Sequence, residues 1–447
     1  MTLLYLILYR AYRLISWVRY AVRRRFTPAG LCVAGGLLAV GSVGVDVENT
    51  VSYQTFALLL AFLIFAVACS FFPPDKFSAT RWLPRLGTVG QPLTYDVRVK
   101  NLTSRPQAGL TLLEDLADPR PSFEAWLRFK RNEKKRLRHF RVSRPRPADP
   151  FHLATLKAAE VPVMPPNGEA VVALELVPSR RGLLRFTGVT VARPDPLGLF
   201  RAFRKVQAPQ AILILPKRYP VAPIALPGAL KYQQGGVALA ANVGCSEEFV
   251  ALRDYRHGDP LRHIHWRSWA KTGKLIVKEF EDEFFVRHAL VLDTFTDEPD
   301  SEILEAAVSV AASFACTVLT QESLLDLLFV GHQSYCFTAG RGLGQADQML
   351  EILASVRNCA DKPFAVLEHL VLNHLSVVSG CIIVLQRWDG ERKQFIEKLK
   401  VLGVPVMVLL VTGPGDGISG AGGDWLDAPG SFHVLETGKL EEGLRKL

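Results

Sequence analysis

Two uncharged, strongly apolar stretches near the start of the chain constrain its fold more than any other feature. They cover residues 29–45 and 55–72 of the 447-residue sequence, and a short connection with acidic residues joins them. Each stretch is close to the length with which a helix crosses a hydrocarbon core of about 30 Å. The sequence therefore predicts two transmembrane helices that form a hairpin over residues 28–73, with a buried core helix as the alternative.

Basic residues flank the predicted hairpin on both sides. They are Arg19, Arg23, Arg24 and Arg25 before it, and Lys76, Arg81 and Arg85 after it. Because Lys and Arg are retained on the cytoplasmic side of a membrane, we expect a multi-pass protein of the inner (cytoplasmic) membrane with the bulk of the chain in the cytoplasm. Residues 1–27 are apolar but interrupted by arginines, which is typical of a basic interfacial helix rather than of a third span.

A different pattern begins near residue 85. Short runs alternate apolar and polar residues and are separated by Gly and Pro, as in the run that places on one face Leu93, Tyr95, Val97 and Val99. Several short strands with turn signals between them are typical of an antiparallel β-sandwich. We therefore predict an all-β, immunoglobulin-like sandwich over residues 85–216.

A basic insertion interrupts the predicted sandwich at residues 120–147. Residues 120–146 contain eleven Lys or Arg against two Glu. A solvated loop or hairpin explains such a run without any ligand. Contact with anionic membrane lipid is the second interpretation, because a membrane anchor holds the domain near a lipid surface. Nucleic-acid binding is the least favoured, since no recognised nucleic-acid-binding fold accompanies the charge.

The last part of the chain, residues 286–447, alternates apolar strands with helical patterns. Continuous apolar strands between helices predict a parallel, doubly wound α/β sheet. Ligands of such sheets bind at the carboxyl ends of the strands. Two acidic residues, Asp293 and Asp389, follow predicted strands at that edge.

The segment at residues 217–285 links the two predicted domains and is dense in Arg, His and Trp. His263 and His265 alternate with an isoleucine, so both would lie on the same face of a strand. Together with Asp259 they could form a metal site or supply acid–base groups near neutral pH. The other interpretation is a structural brace or docking surface, in which the charges pair with one another and the tryptophans are packing anchors.

Two linked motifs give the sequence its resemblance to a known family. The first is RRG followed by DPLGLF, with the residues Arg180, Arg181, Gly182, Asp195, Pro196, Gly198 and Phe200. The second contains His263 and His265 together with Arg253, Tyr255, Gly258, Asp259, Arg262, Trp266 and Gly273. In these residues the sequence resembles the MoxR-associated membrane family of unknown function (domain of unknown function fifty-eight), and the resemblance includes the hairpin. The basic insertion is longer than the family's usual hairpin, so the resemblance implies no role for it.

The resemblance implies a C-terminal domain similar to von Willebrand factor A and a MoxR-type AAA+ ATPase as partner. In von Willebrand A domains, acidic and hydroxyl side chains at the strand ends hold a metal ion, and oxygen ligands suit Mg²⁺. The candidate ligands here are Asp293, Asp297 and Asp389, while Phe295 and Trp388 stand where the pattern has Ser and Thr. Mg²⁺ is therefore the one cofactor for which the sequence offers a degenerate site, and the alternative role of Asp293 is to cap a turn.

Two functions follow from these residues. No G-x-x-x-x-G-K-[ST] motif occurs, so we expect any ATPase activity to belong to a partner. The first function is therefore a membrane-anchored interaction or scaffold protein that helps an AAA+ ATPase to assemble or activate a protein complex. The alternative is a metal-assisted hydrolase that uses Asp259, His263 and His265, although the sequence has neither a nucleophile elbow nor an H-E-x-x-H motif.

Overall fold

The chain forms two compact units of helices and strands. The computed structural model describes residues 2–43, 50–71, 76–118, 120–137, 153–221, 249–257, 259, 261–280, 287–298, 301–320, 324–340, 343–414 and 432–447. Unit 1 comprises Met1–Lys217, Glu298–Ser301 and Leu350–Val356, and unit 2 comprises Arg218–Asp297, Glu302–Met349 and Arg357–Leu447. Helices and sheets occur in both units, which confirms the predicted combination of α and β structure.

Unit 1 begins with three helices, α1 (Thr2–Arg25), α2 (Pro28–Val43) and α3 (Thr50–Cys69). Neither α2 nor α3 contains a charged residue, so neither has a polar face to turn towards water. The two helices approach each other at glycines of α2. A Cβ atom on Gly36 would lie 3.6 Å from Leu59, and one on Gly41 would lie 3.5 Å from Phe56. Both distances are ordinary van der Waals contact, so α2 and α3 pack side by side at these glycines. Small residues are frequent where helices pack in lipid.

Helices α2 and α3 differ in whether they are long enough to span a membrane. Among the described residues, one helix is long and apolar enough to cross a membrane, the stretch Val51–Cys69. The stretch Pro28–Ser42 is apolar but shorter. By length and composition, therefore, one of the two predicted spans meets the requirement. The connection at residues 44–49 lies outside the described residues.

The rest of unit 1 is built mainly from two sheets that share one core. Their strands are β1 (Phe77–Trp82), β2 (Leu86–Thr88), β3 (Leu93–Asn101), β4 (Leu110–Leu116), β5 (Ala154–Leu156), β6 (Ala159–Val161), β7 (Glu169–Pro178), β8 (Gly182–Pro194) and β9 (Arg201–Leu215). One sheet has the order β1-β3-β7-β5 and the other the order β2-β9-β8-β4-β6. Alternate residues of β3 are buried, and they join residues of both sheets in a single apolar cluster. The predicted period-2 pattern thus produces a two-sheet sandwich.

Two features of unit 1 differ from what the sequence suggested: where the sandwich starts and which conformation the basic insertion adopts. The sandwich begins before residue 85, because β1 pairs along its length with β3. The basic insertion at residues 120–147 is not a loop where the structure describes it, since a helix, α4, covers Phe123–Leu137. Ser122 precedes this helix, and its hydroxyl accepts a hydrogen bond from the N–H of Ala125, as an N-terminal cap does.

Unit 2 contains a six-stranded sheet with helices between its strands. Its elements are β12 (Arg287–Leu292), α6 (Glu302–Thr320), β13 (Leu324–Val330), β14 (Ser334–Ala339), α8 (Ala365–His374), β15 (Gly380–Leu385), α9 (Gly390–Val401), β16 (Val406–Thr412), β17 (Phe432–Glu436) and α10 (Leu440–Arg445). The helix α7 (Leu343–Ser355) is divided between the two units after Met349. The strand order is β14-β13-β12-β15-β16-β17. All neighbours are parallel except β13 and β14, which form an antiparallel pair.

This strand order places Asp293 and Asp389 at the carboxyl edge of the sheet. The central strands are buried along nearly their whole length, as apolar runs such as GCIIVL require. After β12 the chain continues to the neighbouring strand β13, and after β15 it continues to β16, which lies in the opposite direction along the sheet. The strand order therefore reverses between β12 and β15. Loops that follow such strands meet at the carboxyl edge, where doubly wound sheets bind their ligands.

The segment predicted to link the domains also has a structure of its own within unit 2. It forms a two-stranded antiparallel sheet of β10 (Phe249–Asp254) and β11 (Ile276–Phe280). A short 3-10 turn over Leu261–His263 and the helix α5 (Trp266–Thr272) lie between these strands in sequence. Gly273 ends α5 with a φ of 67° and donates its N–H to the carbonyl of Trp269, a left-handed cap that favours glycine.

Candidate functional site

A buried ion pair occupies the carboxyl edge of the α/β sheet. Asp293 follows β12 directly, and its side chain is fully buried. Arg392 comes from the first turn of α9 and donates to both carboxylate oxygens, Nε to Oδ2 at 2.7 Å and Nη2 to Oδ1 at 3.2 Å. The backbone N–H groups of Phe295 and Gln386 also point at this carboxylate, at 3.0 and 3.3 Å.

Asp389 reaches the same guanidinium from the other side. Its Oδ2 accepts from Nη1 of Arg392 at 2.5 Å, while its Oδ1 caps α9 by accepting the N–H of Arg392 at 3.1 Å. The guanidinium carbon lies 4.6 Å from the centre of the Phe364 ring. Burial works against the charge of Arg392, but the hydrogen bond and charge of Asp293 raise its pKa above the ordinary value. Arg392 is therefore a permanent cation between two carboxylates.

The predicted metal ligands Asp293, Asp297 and Asp389 do not fit a metal ion. Both oxygens of Asp293 already accept hydrogen bonds from Arg392 and from backbone N–H groups. Asp297 is exposed, and within the described ranges no three His, Cys, Asp or Glu side chains are grouped so that they could hold a metal. The prediction of a three-carboxylate Mg²⁺ site is corrected by the guanidinium, which supplies the positive charge that a metal would supply.

A second buried carboxylate, Asp326 on β13, binds two basic side chains. Arg287 donates to it at 2.6 and 3.0 Å, and Nε2 of His374 lies 2.8 Å from Oδ2. The hydrogen bond to Asp326, followed by one to Cys336, raises the pKa of His374 to about 9. Burial opposes ionisation of Asp326, but the hydrogen bonds from His374 and Arg287 hold its pKa below the ordinary value.

The raised pKa of His374 leads us to expect that the stability of the folded chain depends on pH. Its pKa is raised on folding, so its contribution is complete below the ordinary value of 6.5 and is lost as the pH rises through about 9. We expect the thermal midpoint of the detergent-solubilised chain to fall across this window, and His374→Gln to remove most of that fall. The control is His369→Gln, at an exposed position of the same helix. An unchanged pH slope in His374→Gln would contradict the assignment.

The family-like signature segment is closed by an internal ion pair. Arg253 at the end of β10 donates two hydrogen bonds to the carboxylate of Asp259, at 2.7 and 2.8 Å. This pair, followed by a hydrogen bond from the N–H of Arg256, lowers the pKa of Asp259 to about 2. Tyr255 donates its N–H to the carbonyl of Leu275 and so continues the pairing of the two strands. Gly258 and the side chain of Arg262 lie outside the described residues.

The two signature histidines do not share a strand face. His263 ends the 3-10 turn, and His265 stands just before α5, where its Nδ1 lies 2.6 Å from the Ser268 hydroxyl. The strand on which both were expected is therefore replaced by a turn and a helix start. Asp259 binds Arg253, and the described part of the chain contains no metal-binding group that combines it with the histidines. The prerequisite of the metal-assisted hydrolase is not met there.

Two tryptophans of the signature segment are exposed. Trp266 and Trp269 lie on α5, where no residue is buried, and their side chains are 58% and 44% exposed. Their rings meet edge to face with centroids 5.9 Å apart. Three leucines of the same segment are also exposed, namely Leu252, Leu261 and Leu275. The tryptophans are thus not buried packing anchors but form an exposed aromatic pair.

The DPLGLF motif forms the tip of the hairpin between β8 and β9. The carboxylate of Asp195 accepts the N–H groups of Leu199 and Phe200, each at 3.0 Å. Pro196 follows this aspartate, and Gly198 has a φ of 68°, which the tight turn requires and glycine allows. Arg180 and Arg181 lie between β7 and β8, and Gly182 starts β8 with a φ of 106°. The motif thus forms a tight turn, in which Gly198 donates its N–H to the carbonyl of Asp195.

The hairpin tip also contacts the start of the apolar helices, which the sequence did not indicate. Thr27 donates its N–H to the carbonyl of Leu199 at 3.1 Å, and the rings of Phe26 and Phe200 meet edge to face at 5.0 Å. A Cβ atom on Gly30 would lie 2.0 Å from the Leu199 carbonyl oxygen, so only glycine fits there. The turn motif therefore joins the sandwich to α2.

Comparison with known proteins supports a coarse family assignment. Residues 251–378 match a family described as "Protein of unknown function DUF58". The chain is also 26% identical over 198 residues to an uncharacterized protein of Bacillus subtilis (strain 168), YeaD, over 43% of this chain and 48% of that protein. The chain thus spans about half the length of this curated relative. The matched family segment includes the signature, β12 and Asp293.

Solved structures with some likeness to the chain include two single domains. One is the CARDB domain of a Pyrococcus furiosus protein, with 14% identity and a TM-score of 0.15, which covers 29% of this chain and 92% of that domain. Another is a cohesin module of a Clostridium perfringens glycoside hydrolase, with 8% identity and a TM-score of 0.16, over 32% of this chain and 98% of the module. Scores at this level carry no argument about fold or function.

Proposed function

We propose that the chain is a multi-pass protein of the cytoplasmic membrane, anchored by α2 and α3 as a hairpin. Three features support this proposal: the absence of charge in both helices, the glycine contacts between them, and the basic residues on both flanks. The 16 residues of α2 extend about 24 Å at 1.5 Å per residue. Local thinning of the bilayer accommodates such a short span at modest cost. The flanking charge favours a cytoplasmic location for both units.

The α/β unit is, in this proposal, a von Willebrand A-like binding domain. The strand order with one antiparallel edge strand supports it, as do the acidic residues that follow β12 and β15. The ion pair of Asp293 and Arg392 gives this domain a closed carboxyl edge that needs no metal. A binding role requires a surface rather than a reactive cavity, and the exposed aromatic pair of α5 provides one.

The partner that we propose for this surface is a MoxR-type AAA+ ATPase, and the whole acts in the assembly or activation of a protein complex. The single observation that carries the docking role is the exposure of Trp266 and Trp269 side by side within the family-matched segment. Exposed apolar patches on soluble surfaces mark interaction sites, and tryptophan is enriched among the residues that dominate binding energy. The choice of an AAA+ ATPase rests on the family resemblance.

A capture experiment tests this proposal. Full-length chain in mild detergent is immobilised and incubated with the MoxR-type ATPase of the same genome. We expect capture by the wild type and a loss of at least about 30-fold in affinity for Trp266→Ala/Trp269→Ala, because each such tryptophan contributes about 2 kcal/mol or more. The matched control is Trp82→Ala, which removes a tryptophan that is 49% exposed in the sandwich.

Each outcome of the capture experiment decides a separate point. Capture by the wild type and by Trp82→Ala but not by the double variant supports the docking surface. Equal capture by the double variant means that α5 is not the surface. No capture by the wild type at any ATPase concentration rejects the partner. The thermal midpoint of the double variant, expected to equal that of the wild type because both indoles are exposed, excludes unfolding as the cause.

A further inference from the structure

Helix α1 exposes an apolar stripe that nothing in unit 1 covers along the described residues. The stripe recurs at a helical spacing and consists of Leu4, Leu8, Ile15 and Val18, which are 61%, 47%, 62% and 44% exposed. Residues at this spacing lie on one face of a helix. An apolar face of this length on a protein surface marks contact with a membrane or another protein. Arg10 and Arg19 are exposed at the two sides of the stripe.

Another face of α1 binds the helix of the basic insertion. The hydroxyl of Tyr9 donates to the carbonyl of Pro121 at 2.8 Å. The Tyr9 ring lies 5.4 Å from that of Phe123 and 5.6 Å from that of Trp126, whose side chain is only 4% exposed. These aromatic contacts fix α4 beside α1. The described helix of the basic insertion thus lies beside a helix that has an exposed apolar stripe and exposed arginines together.

The contacts that fix α4 leave its own basic residues on the surface. Arg128 and Arg131 are exposed, and Arg128 lies 3.8 Å from Glu124 of its own helix. The surface made by the stripe of α1, its flanking arginines and these residues of α4 is called the α1–α4 surface below. It combines an apolar stripe with an excess of positive charge, since four arginines face one exposed glutamate, Glu124, and these are two properties of helices that lie in a membrane interface.

The position of α1 in the chain indicates which partner covers the stripe. Helix α1 ends at Arg25 and α2 begins at Pro28, so the stripe continues directly into the proposed anchor. Phe26, which lies between the two helices, pairs with Phe200. Arg24, in the last turn of α1, binds Asp115 of the sandwich. Both contacts fix the end of α1 on the sandwich at the place where the chain enters α2. The membrane surface is therefore the partner within reach of the whole stripe.

We propose that the α1–α4 surface binds anionic phospholipid headgroups, with the stripe of α1 buried at the boundary between headgroups and acyl chains. Positive charge on both helices then meets the negative charge of the leaflet, and the arginine side chains extend from the apolar boundary to the phosphates. This inference rests on the proposed anchoring in a membrane and assigns the basic insertion the role of selecting anionic lipid.

Lipid that copurifies with the protein tests this proposal. The full-length chain is reconstituted with equal amounts of phosphatidylglycerol and phosphatidylcholine, re-extracted in mild detergent, and its bound lipid is quantified by mass spectrometry. We expect the wild type to enrich phosphatidylglycerol. Arg10→Gln/Arg19→Gln on α1 and Arg128→Gln/Arg131→Gln on α4 should each reduce this enrichment on the order of tenfold. The matched control, Arg98→Gln/Lys100→Gln, removes two exposed charges of β3 and should leave it unchanged.

Several outcomes would overturn the proposal. These are no enrichment by the wild type, an equal reduction by the control pair, or an effect of the α1 pair without an effect of the α4 pair. Failure of the anchor itself is recognised separately, because an unanchored chain leaves the membrane fraction in alkaline carbonate. A chain that stays in carbonate-washed membranes but shows no preference for phosphatidylglycerol retains the anchor and refutes the α1–α4 surface alone.

Discussion

Replacing Arg392 with methionine is expected to destabilise the α/β unit by about 3–5 kcal/mol, because it leaves a buried charge without its partner. Asp293 is fully buried and would keep only the two backbone N–H groups of its present partners. Hydrogen exchange of peptides from β12 and β15, measured by mass spectrometry on the detergent-solubilised full chain, reports on this unit alone. Protection in those peptides should fall by about two to four orders of magnitude, because each 1.36 kcal/mol of lost free energy corresponds to a factor of ten.

Two further variants show whether charge is the cause. Arg387→Met removes an arginine of the same loop, which is exposed and donates to the carbonyl of Phe295 at 3.2 Å. Its effect should stay near 1 kcal/mol, the contribution of an ordinary hydrogen bond. Asp293→Asn/Arg392→Met removes both charges and should recover much of the loss. Wild-type protection in Arg392→Met would contradict the stabilising role of the ion pair.

The second large effect concerns an ion pair inside the sandwich. Arg81 and Glu114 have side chains that are 0% and 1% exposed, and their closest atoms are 2.6 Å apart. Arg81 also donates to the carbonyls of Ala208 and Gly188, and its guanidinium lies 4.5 Å from the Phe186 ring. Arg81→Met should therefore cost about 3–5 kcal/mol. Thermal unfolding and exchange of peptides from β3 and β8 measure this loss.

The double replacement Arg81→Met/Glu114→Leu separates the pair from the packing around it. Burial raises the pKa of Glu114, although the hydrogen bond and charge of Arg81 oppose this rise. An unpaired Glu114 in Arg81→Met is therefore expected to take up a proton, whereas an apolar pair of similar volume has no charge to bury. Stability of the double variant should return to within about 1 kcal/mol of the wild type or exceed it. A double variant as unstable as Arg81→Met would contradict the role of charge.

Local patterns in the sequence predicted the architecture well. The uncharged stretches became helices, the alternating runs became strands of a two-sheet sandwich, and the continuous apolar runs became buried parallel strands. Each of these outcomes depends on the periodicity of neighbouring residues, which a sequence displays directly. The DPLGLF turn was also predictable, because proline and glycine restrict or extend the accessible backbone angles at fixed positions. Its contact with Phe26 was not, since it joins residues more than 170 positions apart.

The candidate site depends on contacts between distant residues, which local sequence patterns do not reveal. Arg392 shares the buried face of α9 with Phe395, Ile396 and Leu399, and an arginine on such a face signals a buried charge that needs a partner. That signal was available, but Asp293 lies 99 positions away and the pairing required the fold. The alternation of His263 and His265 misled for a different reason. Two residues spaced by one fit a strand, yet a 3-10 turn and a capped helix place them without that periodicity.

Three features of the structure support the proposed role in binding partners at a membrane. The hairpin tip at Leu199 contacts the start of α2, the α1–α4 surface exposes arginines beside an apolar stripe, and α5 exposes an aromatic pair. At the carboxyl edge of the α/β sheet, Arg392 pairs with both Asp293 and Asp389. These features are the basis of the proposed role in binding partners next to a membrane.

Protease digestion of sealed membranes tests the anchored, cytoplasmic arrangement most directly. Bacterial cells that express the chain yield spheroplasts, with the outer surface of the cytoplasmic membrane exposed, and inverted vesicles, with the inner surface exposed. We expect trypsin to leave the chain from Lys76 to Leu447 intact in spheroplasts and to digest it in inverted vesicles, while the apolar helices stay with the lipid. Digestion of that region from outside intact spheroplasts, or recovery of the full chain in the soluble fraction, would contradict the proposal.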